Sequence, residues 1–300
     1  MSYPTLRLHP RKEESVLRFH PWIFSGAIAS FSAPVEDGDL VSVVDSKGRS
    51  LGTGHFGGGS IAVRLLSFDA KEVIDRAFYK RRLEAALRLR LSCDLVRPVG
   101  SSDSPNTTYR LVHGEGDSLP GLIIDIYDRT AVVQAHSLGM HQARQTIAEV
   151  LWEVFAEAGD PVLPLEGIYY KSETTLPTRD MRELASDGFL IGHTEAAPIY
   201  ENGVRFTPDW LKGQKTGFFI DQRDNRALVA HYAKGRTVLN AFCYTGGFSI
   251  YALHAGAKRV DSLDSSAKAM YLTEQHVALN FGADCPRHHS VTEDAFDYLE

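Results

Sequence analysis

Residues 239–253, LNAFCYTGGFSIYAL, set a glycine pair and a cysteine between two apolar runs. Such a stretch can cradle a phosphate, hold another ligand or carry a thiol nucleophile. A dinucleotide turn requires G-x-G-x-x-G and a P-loop requires G-K-[ST]; neither spacing occurs here. Gly246 and Gly247 remove side chains where a ligand can approach the backbone, and a helix that follows leaves its first N–H groups free. Asp264 closes the next apolar run, RVDSLD, 18 residues past Gly246. A carboxylate at that place hydrogen-bonds the ribose of an adenosine-containing ligand. A glycine turn, a ribose acid and no phosphate motif together point to S-adenosylmethionine. The competing reading is a tight turn without a ligand, with Asp264 as a helix cap.

A second stretch, GQKTGFFIDQRDNR at 213–226, precedes this turn. A solvated helix start accounts for Asp221, Gln222, Arg223, Asp224, Asn225 and Arg226. It does not account for Phe218 and Phe219 beside them. Cys243 lies inside the glycine stretch and invites a nucleophilic role. A small apolar residue packed under the turn is the expectation, and Cys93 and Cys285 are read as ordinary thiols.

The elements that must position these residues fall into three parts. Over residues 1–70 short β-prone runs are separated by Gly, Pro, Asp and Ser, which reads as a small β-barrel or sandwich with a hairpin turn at DSKG. Residues 71–190 read as an α+β domain, opening with a helix over KEVIDRAFYKRRLEAALRLRLS and containing a second that ends at Gly159. Residues 191–300 begin with strands around the ENGV hairpin and continue as a repeating α/β pattern, the first half of a doubly wound parallel sheet. Three strands are countable where such sheets usually have five or more, so a further segment beyond Glu300 is expected.

The composition, 43% hydrophobic and 23% charged, is that of a globular chain with material for real cores. Three cysteines without C-x-x-C spacing argue against a disulfide framework or a zinc site and for a reducing compartment. The N-terminus lacks a signal peptide and no apolar run is long enough to span a membrane, so a cytoplasmic protein without a membrane or metal partner is expected. A net charge of -6 argues against non-specific coating of nucleic acid, and any RNA contact must rest on local patches. Two candidates exist: Arg7, His9, Arg11, Lys12 and Arg18 in the first part, and Arg76, Lys80, Arg81, Arg82, Arg88 and Arg90 on the first long helix. His20 and Trp22 suit barrel core or base stacking equally.

TGFFIDQRDNR, LNAFCYTGGFSIYAL and LDSS together resemble the Rossmann-type methyltransferases of bacterial large-subunit ribosomal RNA. HPWIFSGAI at 20–28 resembles the start of their N-terminal PUA domain, and YRLVHGEGDSLPGLIIDIYD at 109–128 their central domain. The PUA-containing cytosine-C5 branch is the nearest fit. The resemblance implies an α/β chain with a PUA-like RNA-binding barrel, a central α+β domain and a Rossmann-like methyltransferase domain. It implies S-adenosylmethionine as methyl donor and cytosine of ribosomal RNA as substrate, methylated through a cysteine adduct. Phe219, Asp221 and Arg223 would border the cofactor, and Asn240, Phe242, Tyr244, Thr245, Gly246, Gly247 and Phe248 would form the methionine-side loop. Asp264 would hold the ribose and Asp294 would lie near the adenine. Arg7, Arg11, Lys12, Arg18, Lys80, Arg81 and Arg82 are the expected RNA contacts. The family's Asp-Pro-Pro and catalytic cysteine motifs do not occur in this sequence and are expected past residue 300, so no catalytic residue is named. Ribosomal RNA is the expected partner, and a second copy of the chain is a further candidate. A guanine N-methyltransferase and a non-catalytic RNA-binding protein with a vestigial cofactor site are the alternatives. An oxidoreductase is disfavoured by the missing dinucleotide spacing.

Overall fold

The computed structural model describes residues 3–101, 103–177 and 186–300. Contacts divide the chain into two units, residues 1–96 with 109–195, and residues 97–108 with 196–300.

The first unit opens with β1 (Thr5–Leu8), α1 (Glu14–Leu17), β2 (Trp22–Phe24), β3 (Ile28–Phe31), β4 (Leu40–Val44), β5 (Ser50–Phe56) and β6 (Ile61–Ser67). They form one sheet in the order β2-β6-β5-β4-β1-β3, in which β1 runs antiparallel to β3 and parallel to β4. Period-two alternation sends Leu6, Leu8, Val41 and Val43 inward, where they meet Ile23, Val63 and Leu65. The DSKG turn joins β4 to β5, and the buried Asp45 carboxylate accepts from the N–H groups of Lys47 and Arg49.

A five-stranded mixed sheet follows, in the order β11-β10-β9-β8-β7, from β7 (Thr108–His113), β8 (Leu122–Tyr127), β9 (Thr130–Ala135), β10 (Gly167–Tyr170) and β11 (Gly188–Gly192). The helices α2 (Arg76–Ser92), α3 (Leu138–Gln142) and α4 (Arg144–Ala158) accompany it. Phe78, Leu83, Leu111, Ile124, Val133, Ile147, Leu151 and Ile168 build its core. Helix α2 starts at Arg76, later than the apolar period from 71 suggests, because Asp75 caps it by accepting from Phe78 N–H at 2.9 Å. Ile74 is buried ahead of the cap.

The second unit contains the hairpin β12 (Ile199–Glu201) and β13 (Val204–Phe206), then α5 (Arg223–Ala233), β14 (Thr237–Ala241), α6 (Gly247–His254), β15 (Arg259–Asp264), α7 (Ala267–Phe281), β16 (His288–Thr292) and α8 (Ala295–Leu299). Asn202 and Gly203 turn the hairpin with φ of +49° and +83°, as a type I′ turn requires. β14, β15 and β16 are parallel and in sequence order, with Asn240, Ser262 and Ser290 aligned. Ser266 caps α7 and Gly282 ends it.

Two boundaries differ from the sequence expectation. β11 pairs with β10, Ile168 opposite Ile191, so the first unit runs to Glu195 and not to 190. Residues 97–108 leave the α+β part for the second unit, where Thr107 N–H donates to Tyr200 O at 2.9 Å and Gly203 N–H to Pro105 O at 2.8 Å. Among the described residues no helix is long and apolar enough to cross a membrane, and no group of three metal-ligating side chains forms.

Candidate functional site: the loops at the carboxyl edge of the parallel sheet

Parallel strands place the loops after β14, β15 and β16 on one edge, where open α/β sheets bind ligands. The loop after β14 is unusual in its backbone. Phe242 and Tyr244 carry positive φ of +57° and +50°, and Gly246 follows at +74°. The left-handed region costs energy for bulky residues and persists only where the surroundings enforce it. Here Cys243 N–H donates to Leu263 O at 3.1 Å, Tyr244 N–H to Asp264 Oδ2 at 2.9 Å, and Gly246 N–H to Cys243 O at 2.9 Å. Thr273 Oγ1 on α7 donates to Tyr244 O at 3.1 Å, and His276 Nδ1 bonds Thr245 O at 2.9 Å. The loop is thereby fastened to both β15 and α7.

The glycines have a packing reason besides the one read from sequence. A Cβ on Gly246 would stand 2.5 Å from Thr273 Cγ2, and one on Gly247 would stand 3.1 Å from Arg226 Cδ. Phe242 is 70% exposed at the turn, Phe248 and Asn240 are half-buried, and Thr245 is buried. Asn240 Nδ2 donates to Ser249 Oγ at 2.8 Å, which continues a polar chain through Ser262 to His288.

Asp264, half-buried at the end of β15, accepts from Tyr244 N–H through one oxygen and from Ser266 N–H at 2.9 Å through the other. Each oxygen retains a lone pair for a ligand hydroxyl. Asp294 follows β16 on the same edge and is exposed, where it caps α8 by accepting from Phe296 N–H at 2.8 Å.

The two stretches singled out by sequence meet. Phe219 lies edge-on to Tyr244 with ring centroids 5.3 Å apart, Lys215 Nζ stands 4.5 Å over the Phe219 ring, and Gln214 N–H donates to Tyr244 Oη at 3.4 Å. Phe218 turns the other way, buried between Phe206 and the Arg226 guanidinium. Asp221 is exposed ahead of α5 and, among the described residues, accepts from the Gln222 amide at 3.3 Å.

Arg223, expected beside the cofactor, packs into the second unit. Its guanidinium is turned inward, donating to Thr108 O and standing 3.6 Å from Glu201. Glu201 is fully buried and is held by Arg226 through two bonds of 2.8 and 2.7 Å and by Tyr251 Oη at 3.0 Å. Burial lowers the Arg223 pKa, and the Glu201 charge opposes that shift. Sequence reasoning missed Glu201, Thr273, His276 and Lys215. Of these only Glu201 left a signal, an acid at an inward position of an alternating strand.

Cys243 is 6% exposed, with Sγ 3.4 Å from Met270 Sδ. Burial, and then the charge of Asp264, push its thiol up to about 11. This is the environment of an inert packed thiol and not of an activated nucleophile.

The basic patches resolve unevenly. On α2, Arg81 and Arg82 pair with Glu72, Lys80 with Glu153 and Glu157, and Arg76 with Glu153. Arg90 is buried in a two-bond pair with Asp117, and Arg88 stays exposed beside Glu84. Lys80, Arg81 and Arg82 are therefore largely neutralised by neighbouring acids. Arg7 donates to the Asp45 and Ser46 carbonyls and braces the DSKG turn. Arg11, Lys12 and Arg18 remain exposed around α1, near the exposed Leu17 and Phe19, with Arg18 3.9 Å from Glu14. Trp22 is half-buried and donates through Nε1 to Glu115 at 2.6 Å, with His20 edge-on at 5.7 Å.

These features fit S-adenosylmethionine. The donor set is a glycine turn feeding a helix with free N–H groups, an acceptor carboxylate on the second strand and an aromatic wall from the preceding segment. The second unit is thus of the S-adenosylmethionine-dependent methyltransferase class, and a family model of that description matches residues 178–297. A PUA-like domain model matches residues 6–68. The chain is 38% identical over 296 residues to ribosomal RNA large subunit methyltransferase I of Alteromonas mediterranea, covering 97% of this chain and 70% of that protein. The protein of the same name from Klebsiella pneumoniae is 36% identical over 300 residues, covering 99% of this chain and 71% of its own length. The chain belongs to this family of ribosomal RNA large subunit methyltransferase I proteins. Among solved structures, a SAM-dependent methyltransferase from Streptococcus mutans superposes with a TM-score of 0.79 at 24% identity, over 100% of this chain and 72% of that one. A methyltransferase structure complexed with SAH gives a TM-score of 0.80, also at 24% identity and the same coverage. These two support the fold.

Proposed function

We propose that the protein methylates ribosomal RNA of the large subunit, at C5 of a cytosine. The observation that carries the reading is the joining of the 213–219 segment, the glycine loop and Asp264 through Tyr244. When bound, S-adenosylmethionine supplies an electrophilic methyl group. Asp264 would hold its ribose hydroxyls, the loop from Asn240 to Phe248 its methionine portion, Phe219 and Asp221 its outer face, and Asp294 its adenine.

Cytosine C5 is a weak nucleophile. A thiolate that adds to C6 makes C5 electron-rich, C5 takes the methyl group and the S–CH3 bond electrons stay on the departing thioether, a general base removes the C5 proton, and the C5=C6 bond re-forms as the thiolate departs with the electrons of the C6–S bond. The target cytosine must leave its helical stack. Cys243 does not serve as that thiolate, being buried against Met270 with its thiol raised. On the first unit, the exposed Arg11, Lys12 and Arg18 are the phosphate contacts retained in this reading, and the paired cations of α2 drop out.

The test has two parts. Calorimetric titration should show saturable binding of S-adenosylmethionine and none of NAD. Incubation with unmodified large-subunit RNA and labelled donor, followed by nucleoside analysis, should yield 5-methylcytidine. Methylguanosine would move the assignment to the guanine branch. Donor binding without methyl transfer to any base would favour the non-catalytic reading.

A further inference from the structure

The first unit contains a cavity of about 300 Å³, far along the chain from the cofactor loop. Its walls mix apolar and polar groups of opposite hydrogen-bonding sense. Phe56, Ile61, Leu138 and Pro177 supply flat apolar surface. Arg64, which can only donate, and Asp37, which as a carboxylate can only accept, supply the polar edges.

Three observations indicate a site for a ligand. First, His55 lines the cavity at 6% exposure, and its Nδ1 is buried with no hydrogen-bond partner among the described residues. Buried polar atoms are rarely left so. The ring is held in place, since a Cβ on Gly139 would come within 2.2 Å of it. Second, Arg64 forms no ion pair among the described residues, and burial depresses its pKa. Glu115, whose charge acts on Arg64, is bonded to Trp22 Nε1 instead. Third, Gly57, Gly58 and Gly59 form an open rim at which any Cβ on Gly58 would stand 3.2 Å from Asp37 Oδ1, so a side chain there would cover the carboxylate. The strand register adds an aromatic neighbour: Trp22, Arg64 and His55 stand opposite one another on β2, β6 and β5. Directly opposed residues of antiparallel strands present their side chains on one face.

A bare phosphate is anionic, with no flat apolar face, and would meet the Asp37 carboxylate unfavourably. A nucleobase offers a flat ring for the apolar walls, ring nitrogens or carbonyls for Arg64, and N–H groups for Asp37. Unpaired RNA bases are recognised in this way, by hydrogen bonds to their edges and by packing on apolar and aromatic faces. We propose that this cavity takes one unpaired RNA base, as a recognition subsite within the first unit. The RNA origin of the base rests on the function proposed above; the nucleobase chemistry of the cavity does not.

The probes are the four nucleoside 5′-monophosphates and inorganic phosphate, titrated calorimetrically into the full chain with saturating S-adenosylhomocysteine to occupy the cofactor site. At least one nucleotide should bind saturably, shift the His55 imidazole resonances, and bind about ten- to a hundredfold more weakly to Arg64→Met and to Asp37→Asn. Inorganic phosphate should not compete. A short single-stranded RNA containing the preferred base should displace the mononucleotide. No nucleotide binding, equal binding of phosphate, or binding indifferent to both variants overturns the proposal. Failure of the RNA to compete overturns it in favour of a free nucleotide. If Arg64→Met does not fold, Asp37→Asn carries the test alone. None of these readouts requires methyl transfer, so failure of the proposed activity and failure of this subsite remain distinguishable.

Discussion

The backbone N–H of Tyr244 donates to Asp264 Oδ2 at 2.9 Å, so one carboxylate fastens the glycine loop to the end of β15 while its other oxygen fixes the start of α7 through Ser266. A ligand hydroxyl at Asp264 would therefore meet an acceptor already held in place. Asp264→Ala should weaken S-adenosylmethionine binding by about 1–3 kcal/mol through loss of charge-assisted hydrogen bonds. Asp264→Asn should fall between the two, because its amide oxygen accepts from only one of the two N–H groups. Unchanged affinity in calorimetry for both variants would remove Asp264 from the binding site.

Gly246 has a positive φ and Thr273 Cγ2 occupies the place a Cβ would take. Gly246→Ala should cost about 1–3 kcal/mol of stability in denaturant unfolding. Thr273→Ser removes the clashing methyl, so the double variant should recover about 1 kcal/mol relative to the sum of the single effects. Strict additivity would show that the left-handed backbone alone demands the glycine.

With its thiol at about 11, Cys243 is about one part in a thousand ionised at pH 8. Cys93 is exposed. Alkylation at pH 8 followed by peptide mapping should label Cys93 early and Cys243 only after unfolding. Cys243→Ala should leave donor binding within about threefold of the parent. Rapid labelling of Cys243 in the folded protein would contradict its packing against Met270.

Burial, and secondarily the charge of Arg64, lower the His55 pKa to about 4 from 6.5. The unfolded chain therefore takes up this proton at a higher pH than the folded one. Stability from neutral His55 is fully present above pH 6.5 and is lost as the pH falls toward 4, by about 3 kcal/mol. His276, also lowered by burial, acts in the same direction. The readout is thus a difference: between pH 7 and pH 4.5 the unfolding free energy of His55→Gln should fall by clearly less than that of the parent.

The second unit was the more legible in the sequence. Alternation of β-prone and helical periods gives β14 to β16 and their helices, with Ser266 marking the start of α7, and the Asn202-Gly203 pair marks the hairpin before them. The loop residues could be named from Gly246 and Asp264, but their bonding could not. Whether Arg223 faces a ligand or the core depends on Glu201, 22 residues earlier, and no local spacing encodes that pairing. The basic run on α2 shows the same limit in part: Arg81 and Arg82 pair with the nearby Glu72, but the acids that meet Arg76 and Lys80 stand on α4, more than seventy residues away at Glu153 and Glu157. Charge pattern reports what a helix carries, and only tertiary pairing reports what it leaves unneutralised. Arg11, Lys12 and Arg18 stay exposed around a short helix, where the one acid paired with them among the described residues is Glu14, 3.9 Å from Arg18.

Residues 97–108 belong with the second unit although the chain on both sides of them belongs to the first. The polypeptide therefore crosses from one unit to the other at three places, after Val96, after Thr108 and after Glu195. A single protease cut at any one crossing leaves the halves tethered by two others. A gene fragment starting at Ala196 would lack the stretch that pairs with Tyr200 and with the tip of the β12–β13 hairpin. The two units are interleaved along the sequence, and neither can be produced as one uninterrupted stretch of this polypeptide.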